Sequence, residues 1–161
     1  MNRNLKLVVK NSGLLALKFF KDLPDGNLFI AEARQQVPFD IKRVYFINTL
    51  ANQKAIRGKH AHRELQQGIF CISGSFNLHL DDGETKQRIR LNDPSCGILL
   101  GPFLWHTMSS FSYDCVILVL ASAGFDEADY IRDYDEFQRV ARGAKRIGQA
   151  KKPISAARKT R

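Results

Sequence analysis

The chain's chemistry starts at His60 and His62, one residue apart in Arg57-Gly58-Lys59-His60-Ala61-His62. On a strand, positions i and i+2 point to the same face, so this spacing projects two imidazoles into one space. A neutral imidazole, with a reference pKa near 6.5, can both accept and donate a proton near neutrality. Arg57 precedes the pair by three residues and offers a forked cation suited to phosphate or to a developing enolate. Two imidazoles beside a cation suit an anionic substrate that carries an acidic proton. Three further side chains extend the set. Tyr45 sits in the apolar run Ile41 to Asn48 and could donate to a substrate oxygen. Gln67 shares a strand face with Ile69 and Cys71 and could hold an imidazole in place. His106, after Trp105, supplies a third imidazole. His79, just before Asp81-Asp82-Gly83, is expected at the surface.

The elements that must position these residues read as strands. Residues 5–9 alternate, residues 14–20 follow after Asn11-Ser12-Gly13, and Leu23-Pro24-Asp25-Gly26-Asn27 is a turn by composition. Leu28 to Ala33 and Ile41 to Asn48 are strands. A polar loop, Asn52 to Arg57, leads into the histidine strand. Gln67 to Ser73, Phe76 to Leu80, Lys86 to Leu91, Cys96 to Leu100, Trp105 to Phe111 and Cys115 to Ala121 continue the series. Asp81-Asp82-Gly83 is a strong hairpin signal. Short strands at close spacing between Gly, Pro and Asp turns predict an antiparallel sandwich or barrel. The period then changes, and Ile131, Tyr134, Phe137, Val140 and Ala141 predict a C-terminal helix from about Asp133, with Tyr134 and Phe137 as packing anchors.

The chain has 161 residues, enough for one domain with a real core. The net charge of +9 is unevenly placed: residues 142–161 carry eight of these charges and no acid. The expectation is a folded domain over residues 1–141, including the helix, and a basic, flexible tail over 142–161. No aromatic residues interleave with the tail's charges, which argues against a nucleic-acid partner. No apolar run approaches a membrane span, and the start, Met1 to Asn4, does not lead into a secretory signal. Cys71, Cys96 and Cys115 match neither a zinc nor a disulfide pattern, so they read as free thiols in a reducing cytoplasm.

Gly58, His60, His62 and Gly74, followed by Gly97, Pro102 and His106, resemble the two cupin motifs. A closer resemblance runs through Arg43-Val44-Tyr45, the Arg57 to His62 segment, Leu65-x-Gln67, Trp105-His106-x-Met108, and Asp126-Glu127-x-Asp129-Tyr130-Ile131-Arg132-x-Tyr134. Over roughly residues 14 to 140 the chain resembles the dTDP-4-keto-6-deoxyglucose 3,4-ketoisomerases, the WxcM-like sugar isomerases of the cupin superfamily. The resemblance implies an all-β cupin jelly-roll barrel with a C-terminal α-helix, a cytoplasmic homodimer, and a dTDP-linked keto-sugar bound inside the barrel. It implies movement of a ketone from C4 to C3, for sugars that decorate bacterial surface glycans.

That reaction takes a proton from C3, passes through an enediol and returns a proton to C4, with no redox cofactor. His60 is read as the base and His62 as its partner, the order of the two roles staying open. Tyr45 is read as a donor, Arg57 as the phosphate or enolate contact, and His106 and Gln67 as sugar-side contacts. The family's early turn often carries an acidic-Arg-Gly sequence. Here Pro24-Asp25-Gly26-Asn27 lacks the arginine, which leaves the C4 configuration of the product open. Three rivals stand beside this reading: a metal-dependent cupin, a dTDP-sugar epimerase and a non-catalytic sugar-nucleotide-binding cupin. Against the first, metal cupins usually place Glu three or four residues past the second His. This chain has Gln66 and Gln67 near there, and a neutral amide is a poorer ligand for a hard dication.

Overall fold

The structure is a computed structural model that describes residues 5–22, 24–50 and 54–149. Residues 1–4, Leu23, part of the polar loop (51–53) and positions 150–161 of the expected tail lie outside the described residues. The strands are β1 (Ser12–Ala16), β2 (Lys18–Asp22), β3 (Gly26–Ile30), β4 (Arg43–Ile47), β5 (Arg57–His62), β6 (Gln67–Ser73), β7 (Phe76–Asp81), β8 (Lys86–Leu91), β9 (Cys96–Leu100), β10 (Trp105–Ser109), β11 (Val116–Ala121) and β12 (Tyr130–Ile131). A short 3-10 turn, Glu127–Asp129, precedes β12, and helix α1 spans Tyr134–Gln149.

Two five-stranded antiparallel sheets make the jelly roll. One has the order β1-β9-β6-β11-β4 and the other β12-β5-β10-β7-β8. Period-2 alternation sends Ile69, Cys71, Ile98, Ile117 and Val119 inward from the first sheet. Leu78, Leu80, Ile89, Leu91 and Met108 come inward from the second, and together they form one core. The β7–β8 hairpin is regular from Phe76↔Leu91 to Asp81↔Lys86. Its turn is closed by Asp82, whose carboxylate accepts from the backbone N–H groups of Glu84 (2.9 Å), Thr85 (2.8 Å) and Lys10 (2.7 Å). On the outer face of the first sheet, Leu15, Phe70 and Leu120 are covered by Val37 and Phe39 from the segment between β3 and β4.

Helix α1 starts where Asp133 Oδ1 accepts from Glu136 N at 2.7 Å, an N-cap in the usual sense. Phe137 and Ala141 then pack against Ala61 and Ile131. The helix continues to Gln149, so residues 142–149 of the segment read as tail are helical. Residues 5–9, expected as a strand, join no ladder; the Gln87 side chain holds them, accepting from Val8 N and donating to Lys6 O. The expected strand 14–20 is two strands, divided at Leu17, whose N–H goes to Ser95 O at 2.8 Å. Among the described residues no helix is long and apolar enough to cross a membrane. The three cysteines are free, with Cys71 and Cys115 buried and Cys96 half-buried.

Candidate active site

Strand β5 is bent to serve the site. It pairs with β10 as His106↔His60, then Thr107↔Gly58 and Met108↔Arg57, so Lys59 is an extra residue bulged out of the ladder. Gly58 and Lys59 both hold left-handed backbone, at φ +79° and +59°. A Cβ at Gly58 would stand 2.8 Å from the His106 carbonyl oxygen, so no larger residue fits there without displacing the strand that carries His106. The bulge lets residues three apart share a face. Arg57 lies opposite Met108, a core residue, and His60 lies opposite His106.

The two histidines read as neighbours do share one space. Their ring centroids are 4.9 Å apart in an edge-to-face arrangement, and His106 lies 4.5 Å from His60. Tyr130, from β12, is in contact with both, at 4.9 Å from His60 and 4.3 Å from His62. From the opposite sheet, Arg43, Tyr45 and Gln67 complete the walls. Arg43 and Gln67 both pair with Ala121 in register, and Tyr45 is the next inward residue of β4. Gln67 Nε2 donates to the Tyr45 hydroxyl at 2.9 Å, so Gln67 steadies the tyrosine rather than an imidazole. The Arg43 guanidinium lies 5.3 Å from the Tyr45 ring centre.

His62 has a fixed tautomer. Its Nδ1 is 2.8 Å from Asp129 Oδ2, with the imidazole buried and the carboxylate half-buried. The carboxylate accepts the Nδ1 proton, which leaves Nε2 as a lone pair facing the cluster. Asp129 is held in turn by the backbone N–H groups of Arg63 (3.1 Å) and Glu64 (2.7 Å). Burial lowers the pKa of His62, and the hydrogen bond and charge of Asp129 oppose that shift. His60 has no such partner: burial lowers it to about 4, against a weaker opposing effect from the Gly58 backbone. His106, the most enclosed, is pushed well below its ordinary value by burial and by the two neighbouring histidines. All three are therefore uncharged at neutral pH. Burial, followed by the nearby Tyr130, raises Tyr45, which stays protonated and able to donate.

Among the described residues, five buried side-chain atoms find no partner in hydrogen-bonding geometry: Arg43 Nε, His60 Nδ1, His62 Nε2, Gln67 Oε1 and His106 Nδ1. All five belong to this one cluster. Each unsatisfied buried polar group costs about 1–3 kcal/mol, so their convergence marks a place where polar ligand atoms belong. A cavity of about 240 Å³ lies alongside, with Arg43, Asp129 and Tyr130 as shared walls. Beyond them Arg132 lies over the Tyr130 ring at 4.3 Å and is paired with Glu127 at 2.8 Å. Among the described residues no group of three or more His, Cys, Asp or Glu is arranged to hold a metal ion.

The sequence-derived set is thus placed as follows. His60, His62, His106, Tyr45 and Gln67 come together. Arg57 is exposed and its side chain makes no hydrogen bond or ion pair among the described residues; the guanidinium groups that act on His62 are those of Arg43 and Arg132. His79, expected at the surface, is half-buried on the outer face of the second sheet, 2.9 Å from Ser109 Oγ. Asp129, Tyr130, Arg43 and Arg132 join the site without being among the sequence-derived candidates. The available signal was Asp129-Tyr130 beside an Arg, within the stretch that carried the family resemblance.

An antiparallel jelly roll with three uncharged imidazoles, a carboxylate-held tautomer and a tyrosine inside it defines an acid–base enzyme of the cupin type. The FdtA, WxcM-like C-terminal family matches residues 10–142, and the chain belongs to it. The chain is 46% identical over 122 residues to the TDP-4-oxo-6-deoxy-alpha-D-glucose-3,4-oxoisomerase of Aneurinibacillus thermoaerophilus, covering 74% of this chain and 87% of that protein. Its fold is similar to the sugar 3,4-ketoisomerase QdtA of Thermoanaerobacterium thermosaccharolyticum in complex with TDP. There the TM-score is 0.81 at 40% identity, covering 84% of this chain and 97% of that one. The WlaRB TDP-quinovose 3,4-ketoisomerase of Campylobacter jejuni matches with a TM-score of 0.77 at 43% identity, covering 81% and 99%.

Proposed function

We propose that this chain is a sugar-nucleotide 3,4-ketoisomerase that converts dTDP-4-keto-6-deoxyglucose to a dTDP-3-keto-6-deoxyhexose. The observation that carries the reading is the convergence of five partnerless polar atoms on three neutral imidazoles. In the first half-reaction His60, a free base at neutral pH, takes the C3 proton while O4 gains a proton from Tyr45, giving the enediol. In the second half-reaction His62 Nε2 accepts the O3 proton while the His60 imidazolium returns a proton to C4, leaving the ketone at C3, and His62 then passes its proton back to Tyr45. His62 is the residue able to carry the travelling proton, because Asp129 stabilises its imidazolium. Electrons stay within the substrate, so the chemistry calls for no redox cofactor. Arg43 Nε and His106 Nδ1 offer contacts to sugar oxygens, and Arg57, at the exposed start of β5, meets the diphosphate.

A homodimer is part of the proposal. β2 and β3 form a two-stranded sheet of their own, and such a hairpin is marginal in water without cover. Phe19, Phe20 and Leu28 are exposed on it, as are Val44 and Phe46 on the edge strand β4. A second copy covering these apolar faces would satisfy both. A nucleotide-linked substrate and free thiols fit a cytoplasmic enzyme.

The test is incubation with dTDP-4-keto-6-deoxyglucose in D₂O followed by NMR. The expected result is deuterium uptake with the carbonyl moved to C3, and the C4 configuration read from the same spectrum. His60→Asn is expected to lose most of this turnover; a near-normal rate in that variant removes His60 from the mechanism.

A further inference from the structure

The histidines use the inner face of the second sheet. Its outer face carries a separate groove of about 760 Å³, within the range of about 300–1,000 Å³ typical of small-molecule sites. Strand parity builds it. On β10, His106 and Met108 are buried while Trp105, Thr107 and Ser109 line the groove; on β7 and β8, His79 and Arg88 line it. The floor is hydroxyl and imidazole, with His79 Nε2 2.9 Å from Ser109 Oγ. One end is aromatic: the Trp105 and Tyr134 rings meet edge to face at 5.1 Å. Tyr134 is fixed there, donating its hydroxyl to Asp81 Oδ2 at 2.5 Å, and Lys86 Nζ balances that carboxylate from 3.4 Å. Arg88 is exposed and has no carboxylate partner among the described residues, so its charge is the uncompensated one in the groove.

We infer that this groove is a second binding site, for a phosphorylated ligand carrying a flat ring, of the nucleoside diphosphate type. The forked guanidinium of Arg88 meets phosphate, the Trp105–Tyr134 wall stacks the ring, and the hydroxyl floor meets the sugar. A basic edge strand also discourages edge-to-edge pairing, but that role needs neither an aromatic wall nor a polar floor. The site stands back to back with the catalytic cluster, because Trp105 and His106 are consecutive residues on opposite faces of one strand.

Trp105 is the only tryptophan in the chain, so its fluorescence reports on this groove. The probe is thymidine diphosphate, titrated by calorimetry and by fluorescence. Wild-type protein is expected to bind two equivalents per chain. Arg88→Glu should weaken one of them at least tenfold and remove most of the Trp105 response, while keto-sugar turnover stays within twofold. Arg88→Lys should keep part of the second site, separating lost charge from a damaged fold. One equivalent in wild type, or a Trp105 response unchanged by Arg88→Glu, overturns the inference. Inorganic pyrophosphate binding the groove as tightly as thymidine diphosphate also overturns it, since no ring would then be recognised. The result is independent of the isomerase proposal: an Arg88-dependent site in a chain that does not move the ketone leaves the groove standing, and normal turnover with a single equivalent leaves the isomerase standing.

Discussion

The β7–β8 hairpin and the β5–β10 pair belong to the same sheet and obey different rules. In the hairpin every residue has its partner, and the turn carboxylates close on backbone N–H groups. In β5–β10 the register slips, two consecutive residues sit in left-handed backbone, and buried imidazole nitrogens go unpaired. The first pair is built for stability. The second holds an arrangement that costs stability and gains chemistry, as strained, over-determined sites do.

The contrast can be broken most severely at Gly58. Gly58→Ala places a Cβ 2.8 Å from a backbone oxygen at positive φ. Turnover is expected to fall at least about 100-fold and the melting temperature by several degrees, with strain of about 1–3 kcal/mol; an enzyme of normal rate would show that the bulge is incidental. Asp129→Asn comes next. It removes the charge that supports a proton on His62, and kcat is expected to fall within the range of about 10²–10⁴-fold associated with positioned acid–base groups. KM should hardly change, and the acid limb of the kcat profile should move lower, which a merely structural role would not produce.

Asp82→Ala, in the hairpin, should do the reverse. It removes three backbone hydrogen bonds and should cost about 1–3 kcal/mol in denaturant unfolding, with turnover unchanged. The smallest effect is acid sensitivity. His60 has a folded pKa of about 4, below its ordinary 6.5, so the unfolded chain takes up the proton first. Its contribution to stability is present above pH 6.5 and is lost as pH falls from 6.5 to about 4; His106 acts in the same direction. Melting curves across that window should show a smaller acid-induced drop for His60→Asn than for wild type.

The regular region was the legible one. Turn chemistry at Asp81-Asp82-Gly83 and alternation along β7 and β8 gave the strands nearly to the residue, because local rules decide them. The His60–His62 pair was legible for the same reason. Its supporting carboxylate was not: Asp129 is 67 positions away from His62, and it sits in a 3-10 turn of three residues, too short for any period to register. Nor does composition reveal that Lys59 bulges, since only Gly58 advertises unusual backbone. Arg57 is the cation nearest the histidines in sequence, whereas the cations acting on His62 are Arg43, from β4, and Arg132, just past β12.

The extra residue in β5 decides which way Arg57 faces. In an unbulged strand of the same sequence Lys59 would enter the ladder opposite Thr107 and Gly58 would move opposite Met108, so Arg57 would turn to the outer face while the histidines stay put. A kink of one residue thus selects which cation shares the imidazoles' side of the sheet.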